Sequence, residues 1–459
     1  MMTIGEGAKI TLGVDSSTQG VKAVAWDAAA GAVVASAAVN YGRDLPGYGS
    51  PDGFLPAEGS VRRADPRMWV EGLELALARL RDSGFPMDRV AAVGGDAQQH
   101  ATVYLESLDP LVFSRATSPI WMDSSTKDEC AALDAKFGSR LQTETGSPAI
   151  ERFAGPQIMK FAREEPAAYA RTRRIHLLSS FLASYLTGSD MPVDTGDGAG
   201  MNLLDLGRGC WDEEICEFAA PGLSARLPRC TGRIAAAAAP LSARFAKFGL
   251  KPGIPVVPFT GDNPASLVGC FAERPGTAVI SLGTSDVFFA AMEKFHTDPG
   301  GCGHVFGNPA GGFMSLACFK NGSLARDRVR AELGVDWKFF DETAFAATER
   351  GNGGKRAFPY FEEEITPKHA ATGIEANFDW PASPAEVKIR AVVEGQIANM
   401  RERTRWIGDF AEIKVTGGAS RSRGIREAIA DIFGAKVAAI DVADSAAVGG
   451  ARLAAAALV

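Results

Sequence analysis

Residues Ile10–Asp27 read ITLGVDSSTQGVKAVAWD: an apolar strand, a turn rich in Gly, Asp, Ser and Thr, and a second apolar strand. The stretch predicts a β-hairpin that exposes small polar groups at its tip. A second hairpin of the same kind follows at Thr277–Ala291, TAVISLGTSDVFFAA, where a Gly-Thr-Ser turn sits between β-branched and aromatic residues. Two such hairpins in one chain predict an internal repeat. Downstream of the first, Val70-Glu71-Gly72 opens a helix and Gly94-Gly95 closes the apolar run Val90–Val93; downstream of the second, Val393-Glu394-Gly395 opens a helix and Gly417-Gly418 closes Ile413–Thr416. The same spacing separates Gly72 from Gly94 and Gly395 from Gly417.

Strands alternating with helices predict two α/β lobes with mainly parallel or mixed sheets. The boundary is expected near Phe245–Pro258, where the helix-like PLSARFAKFG ends at Gly249 and Lys251-Pro252-Gly253 follows. Residues 1–250 and 251–459 are then the two domains. The stretch from about Pro119 to Arg233 reads as an insertion that contains helical segments such as His176–Leu186, HLLSSFLASYL. The runs Ala235–Ala239 and Ala451–Val459 read as buried helix packing.

The 459 residues are 46% apolar and 22% charged, as in a soluble globular protein large enough to bury a core without disulfides or metal. Lys and Arg number 48 against 55 Asp and Glu, with no basic block, which excludes the electrostatic footprint of a nucleic-acid binder. No apolar run approaches the roughly 18 residues of a membrane span. Met1–Leu12 carries Glu6 and Lys9 where a signal peptide needs an apolar stretch. The expectation is a cytoplasmic protein without a membrane partner; a homodimer is compatible with the sequence, although no interface is marked by spacing. The seven cysteines fall at irregular spacings and read as reduced, buried thiols rather than a disulfide framework. Cys302-x-His304, with His296 nearby, lacks a metal-ligand spacing.

There is no GxxxxGK[ST] loop, no strand-linked GxGxxG and no GxSxG. Instead, the two hairpin tips and the loop Gly417-Gly418-Ala419-Ser420 are places where backbone N–H groups can face an anion. Three such loops can hold a triphosphate and adenosine. Asp15 repels a phosphate unless a divalent cation lies between them; alternatively, Asp15 and Thr18 stabilise the turn. Gly261-Asp262-Asn263-Pro264 follows the apolar run Ile254–Phe259, at the carboxyl end of a strand where open α/β sheets place their ligands. Asp262 there either accepts a proton from a sugar hydroxyl or, like Asn263, caps the next helix. His100, in Gly95–His100 (GDAQQH), either bonds a polyol or fills a structural role.

Eight motifs in order carry a resemblance over nearly the entire chain: AQQH at Ala97–His100, WMDSST at Trp121–Thr126, ERFAGPQI at Glu151–Ile158, DGAGMNLL at Asp197–Leu204, TGDNPASL at Thr260–Leu267, SLGTSD at Ser281–Asp286, CFKNGSL at Cys318–Leu324 and TGGAS at Thr416–Ser420. Together they resemble the FGGY family of carbohydrate kinases, within the actin-like and hexokinase-like ATPase superfamily, in the motif pattern of its eukaryotic-type xylulokinase branch. The resemblance implies two ribonuclease-H-like lobes with an interdomain catalytic cleft, ATP and Mg²⁺, and phosphorylation of D-xylulose; ribulose, L-xylulose or glycerol are the alternative substrates. A sugar sensor or actin-like ATPase is the reading outside this class, and Asp262-Asn263 with His100 argues against it.

By that resemblance Asp262 is the catalytic base, and His100, Arg152, Asn263, Gln99 and Asp123 form the sugar pocket. Asp15 lies near Mg²⁺; Ser17, Thr18 and Gln19 with Gly283, Thr284 and Ser285 meet the phosphates; Trp337, Gly417, Gly418 and Ser422 surround the adenosine. Two departures from the wider family stand out: Ala101 replaces the Gly after the pocket histidine, and Phe259-Thr260 replaces a Gly-richer approach to Gly261.

Overall fold

The computed structural model describes residues 9–442 and 444–458, which divide into two compact units. In the first, β1 (Ile10–Ser16), β2 (Gly20–Asp27) and β3 (Ala32–Asn40) form an antiparallel meander. Helix α1 (Pro66–Asp82) starts behind Asp65, whose carboxylate accepts the Arg67 N–H at 2.9 Å. It buries Met68, Trp69, Leu73, Ala76, Leu77 and Leu80, the spacing of one helical face. Strand β4 (Val90–Ala97) then joins parallel to β1, placing Asp96 beside Asp15.

Short strands β5 (Pro255–Val256) and β6 (Thr260–Gly261) add in parallel to the other edge of β4, pairing Thr260 with Asp96 and Gly261 with Ala97, and α2 (Asp262–Gly269) follows directly. The expected division at 250/251 therefore cuts through this unit: pairing to β4 keeps the chain on the first sheet as far as Gly269. The stretch between β4 and β5 carries a core of its own around Leu133, Leu141, Ile158, Phe161, Leu203 and Ile215. The Ala235–Ala239 run, expected as buried helix, is a half-exposed 3₁₀ turn at Ala235–Ala237 running into an edge strand, Ala239–Pro240. Alanine's helix propensity does not survive there without an apolar face to bury.

The second unit repeats the plan. Strands β7 (Thr277–Leu282) and β8 (Asp286–Met292) form the second hairpin, and β9 (Phe313–Phe319) lies beside β8. Helices α3 (Ser323–Glu332) and α4 (Ala385–Thr404) precede β10 (Glu412–Thr416), which runs parallel to β7 as β4 does to β1. Helix α5 (Arg423–Phe433) and β11 (Lys436–Ala439) complete the unit, whose core gathers Ile280, Phe288, Val393, Ile413, Ile425 and Phe433. The repeated helix glycines do the same work in both units: a Cβ on Gly72 would lie 2.7 Å from the Tyr41 ring, and one on Gly395 2.2 Å from the Ala357 carbonyl oxygen. They sit inside their helices and do not open them.

The final helix, α6 (Ser445–Ala456), returns to the first unit. It lies almost backbone to backbone on β1 and β4. A Cβ on Gly13 would fall 1.9 Å from the Ala447 carbonyl oxygen, one on Gly450 2.5 Å from the Gly95 Cα, and Thr11 Oγ1 donates to the Ala451 carbonyl at 2.8 Å. This explains a second difference from expectation. Gly94-Gly95 lies within β4, where α6 crosses, whereas Gly417-Gly418 follows β10, Gly417 leading into a 3₁₀ turn at Gly418–Arg421. Among the described residues, no helix is long and apolar enough to cross a membrane; all seven cysteines are free thiols, but only Cys130, Cys216 and Cys270 are buried as expected, and Cys210, Cys230, Cys302 and Cys318 are partly exposed.

Candidate active site

The parallel strands of the first unit end together, and their carboxyl ends carry the polar residues. Asp262 opens α2 immediately after β6. Its Oδ1 accepts the Asn263 backbone N–H at 2.9 Å and Asn263 Nδ2 at 3.1 Å, and Asn263 Nδ2 also donates to Gln99 Oε1 at 2.9 Å. Gln99 follows the end of β4, so the strand pair β4–β6 brings residues 99, 262 and 263 into one hydrogen-bonded group. His100 next to it holds φ +70°. Its ring stacks on Phe153 with centroids 4.5 Å apart, and Nδ1–H donates to the Gly200 carbonyl at 2.9 Å. That bond fixes the tautomer and makes Nε2 of the neutral ring an acceptor. A Cβ on Gly200 would lie 2.8 Å from the ring, so glycine is required there.

Arg152 precedes Phe153 and lines a depression of about 290 Å³ with Trp121, Met122, Ser124, Ile150 and Glu151. Asp123 is fully buried and spends both oxygens on protein donors: Oδ1 accepts from the Ser125 N–H at 3.0 Å, Ser125 Oγ at 2.5 Å and Gln157 Nε2 at 3.0 Å, and Oδ2 from the Arg62 N–H at 3.0 Å. These bonds give it a place in holding the wall of the depression. Trp121, 41% exposed, donates its Nε1–H to Thr18 Oγ1 at 2.7 Å and so ties that wall to the first hairpin tip.

At the tip, the Ser17 N–H closes the turn on the Gly20 carbonyl at 2.9 Å, and Gln19 is exposed. Ser17, Gln19 and Asp15 line a depression of about 260 Å³ with Lys22 and Asp444, which form an ion pair. Asp96, fully buried beside Asp15, has no donor on either oxygen, and Asp15 Oδ1 also lacks one. The two carboxyls lie close enough to interact with each other. Burial first, then the Asp15 charge, raise the Asp96 carboxyl well above the usual range, and burial lifts Asp15 to about 6. Asp262 touches solvent yet is packed deeply by protein; burial and then the Asp15 charge push it up to about 7. Burial raises Asp194 to about 7 and Asp197 to about 8. Such a concentration of carboxyls calls for a cation or for protons.

Thr260, one of the departures from the family pattern, donates to Asp194 Oδ2 at 2.5 Å, and Phe259 packs where a Cβ on Gly95 would intrude at 2.6 Å. The substituted residues are therefore built into the floor of the site. Asp96, Lys22, Asp194 and Asp444 escape a sequence reading because strand register and the return of α6 bring them in. Asp96 had one available signal, its place in the same Gly-Gly segment as His100.

In the second unit, the Gly283–Ser285 tip and the Gly417 loop lie side by side. The Gly283 N–H bonds the Ser285 carbonyl at 3.2 Å, and the Thr284 carbonyl accepts the Leu324 N–H at 3.4 Å. Gly417, at φ +90°, packs so tightly on β7 that a Cβ would lie 2.4 Å from the Leu282 carbonyl oxygen, which sets its loop beside the Gly283–Ser285 tip. Gly418 next to it has open space. Ser422 is buried and caps α5, accepting the Ile425 N–H at 3.3 Å. Trp337 is 46% exposed, edge-on to Phe340 and covered on one side by the Arg330 guanidinium at 5.0 Å.

Two family models cover the chain: the N-terminal domain of the FGGY family of carbohydrate kinases matches residues 10–269 and its C-terminal domain residues 278–458. Xylulose kinase of Rattus norvegicus is 40% identical over 97% of this chain and 88% of its own length. Xylulose kinase 2 of Arabidopsis thaliana is 35% identical over 97% of this chain and 86% of its own. The crystal structure of xylulose kinase from Bifidobacterium adolescentis superposes with a TM-score of 0.82 at 25% identity, covering 98% of this chain and 93% of that one. The doubled hairpin–helix–strand plan, the clustered carboxyls and these matches agree, and the chain belongs to the FGGY family of carbohydrate kinases, which use ATP to phosphorylate sugars.

Proposed function

We propose that the protein transfers the γ-phosphoryl group of ATP to D-xylulose, giving D-xylulose 5-phosphate and ADP. The observation that carries the chemistry is the Asp262 carboxyl. It stands at the end of β6, hydrogen-bonded to Asn263, with an affinity for protons lifted toward neutrality. The named xylulose kinases at 35–40% identity support the choice of sugar.

As the terminal hydroxyl oxygen attacks phosphorus, its O–H proton passes to Asp262, the new O–P bond forms and the bond to the β-phosphate oxygen breaks. Asn263, Gln99, His100 and Arg152 hold the sugar hydroxyls, while Asp123 supports the wall beside them. Ser17, Thr18 and Gln19, with Gly283, Thr284 and Ser285, receive the phosphates on backbone N–H and hydroxyl groups. Trp337, Gly417, Gly418 and Ser422 form the adenosine site. Asp15 and Asp96 fit Mg²⁺, because three of their oxygens lack a donor. Two carboxylates suffice for an ion that keeps waters and phosphate oxygens as its remaining ligands. When bound, Mg²⁺ neutralises phosphate charge. A reaction that consumes ATP and makes an anionic sugar fits the cytoplasm.

The test is the initial rate of Mg-ATP-dependent ADP formation with D-xylulose, L-xylulose, D-ribulose, L-ribulose, glycerol and no sugar. A strong preference for D-xylulose is expected. Preference for another sugar would move the specificity and keep the kinase, whereas no rate above the control would favour the sensor or ATPase reading.

The pH profile follows from the base role. Asp262 works only when ionised, and its raised pKa leaves it protonated below about 7. For the sugar, kcat/KM should fall about tenfold per pH unit on the acid side and level off on the alkaline side. A cation at Asp15 cancels part of the repulsion, so the inflection should lie at or below 7. A rate independent of pH between 5 and 8 would remove Asp262 from this role.

A further inference from the structure

We propose that Thr260 is a positioning residue for the phosphorylation reaction: its hydroxyl, hydrogen-bonded to Asp194, pins the short strand that delivers Asp262 to the site. The inference rests on the reading of Asp262 as the base.

Only Gly261, which has no side chain to hold it, separates Thr260 from Asp262. Strand β6 consists of Thr260 and Gly261 and pairs with β4 at Asp96 and Ala97. That is well below the usual strand length, so the ladder by itself holds the end of β6 loosely. The threonine side chain supplies a second anchor. Thr260 is fully buried, and its Oγ1 lies 2.5 Å from Asp194 Oδ2.

The other end of the bond is held firmly. Asp194 is also fully buried and caps the helical turn Thr195–Gly198, its Oδ2 accepting the Gly196 N–H at 2.9 Å. Its backbone pairs in parallel with Thr231. The turn has no slack against its neighbours: a Cβ on Gly196 would lie 2.5 Å from Asp194 Oδ2, 2.9 Å from the Gly307 carbonyl oxygen and 3.0 Å from Thr260 Oγ1. Just beyond the turn, the Gly200 carbonyl accepts from His100 Nδ1 at 2.9 Å. Residues 194–200 therefore brace the strand before Asp262 on one side and the His100 ring on the other.

The bond does not depend on the charge of Asp194. A threonine hydroxyl donates to a carboxylate and accepts from a carboxylic acid, whereas valine, of nearly the same shape, does neither. Thr260→Val thus removes the anchor at nearly constant volume. The expected result is a fall in kcat of about 10–100-fold, the cost of misplacing a reacting group. The KM for ATP should not change, and the KM for D-xylulose should move by less than about threefold, because the loss falls on the base and not on binding. Rates are compared well below the thermal midpoint of each variant.

A second pair of variants separates the hydrogen bond from packing. Thr260→Ser keeps the hydroxyl and loses the methyl group; Thr260→Ala loses both. A positioning bond predicts that the serine variant keeps kcat within about threefold of the parent and that the alanine variant falls at least about tenfold below it. A residue that merely fills space predicts the opposite order: valine, which keeps the volume, stays fast, and serine, which leaves a cavity, is as slow as alanine. The serine–alanine comparison decides by itself if the valine variant does not fold.

A serine variant as slow as the alanine one, or a folded valine variant with the parent's kcat, overturns the proposal. So does a KM for ATP that rises as far as kcat falls, since the variants would then have loosened more than the base. The two readings fail separately. If Asp262→Asn is inactive and the variants lacking the hydroxyl are normal, only the role of Thr260 falls. If Asp262→Asn keeps turnover, the base itself is misassigned.

Discussion

Replacing Asp262 with Asn should lower sugar-dependent ADP formation by about 10²–10⁴-fold, the usual worth of a positioned general base. Asparagine matches aspartate in size and can still accept the Asn263 N–H, so α2 should form as before; what disappears is the ability to take a proton. The loops at Gly417, Gly418 and Trp337, proposed above for adenosine, belong to the second unit and do not include Asp262. The ATP dissociation constant, measured by titration without sugar, should therefore stay within a few fold. Loss of turnover with intact ATP binding is the expected pair of results, and turnover near that of the parent would rule out Asp262 as the base.

The largest stability effect is expected deep in the second unit. Asp286 and Arg326 are each 3% exposed and form a two-pronged ion pair, NH1 to Oδ2 at 2.6 Å and NH2 to Oδ1 at 2.8 Å. Ser323 Oγ and Gln396 Oε1 take further guanidinium protons at 2.7 and 3.0 Å. Asp286→Ala leaves a buried guanidinium without its counter-charge and should cost about 3–5 kcal/mol. Removing both charges at once, Asp286→Leu with Arg326→Met, should cost less, because the desolvation of the pair is then no longer required. Urea denaturation read on the second unit's own transition distinguishes the cases; equal losses in the two variants would mean that packing and not charge decides the site. Asp286 immediately follows the Gly283–Ser285 tip, so the single variant should also weaken ATP binding.

The hairpins were legible because alternating apolar residues and a small polar turn are local signals, and the repeat was legible because it is built from those hairpins. The domain boundary was not. Pro255–Val256 and Thr260–Gly261 are two-residue strands, too short to show a period, and only their pairing with β4 assigns them to the first unit. Reading Gly94-Gly95 as the end of a strand failed for a related reason: a glycine chosen for close approach of a distant helix looks the same in sequence as one chosen for a turn. In the site, Asp262, Asn263, Gln99 and His100 could be named because each sits beside a strand end in a recognisable motif. Asp96 could not be paired with Asp15, since their contact is a register between strands some eighty residues apart. Asp197 lay within a recognised motif, but its hydrogen-bond partners are set by tertiary packing alone.

The return of α6 bears on how the chain is made. Val24, Trp26, Ala92, Val257 and Val268 in the first unit are covered by Ala447, Val448, Ala451, Leu453 and Ala454 of that helix. A nascent chain that has passed Gly269 must still wait for the whole second unit before this face of its first sheet can close. At about 5–20 residues per second that delay is on the order of 10–30 s, during which an apolar sheet face stays open to solvent. The second unit, continuous in its main body from Met314 to β11, can mature on the ribosome ahead of the first, so the unit translated first is the one completed last.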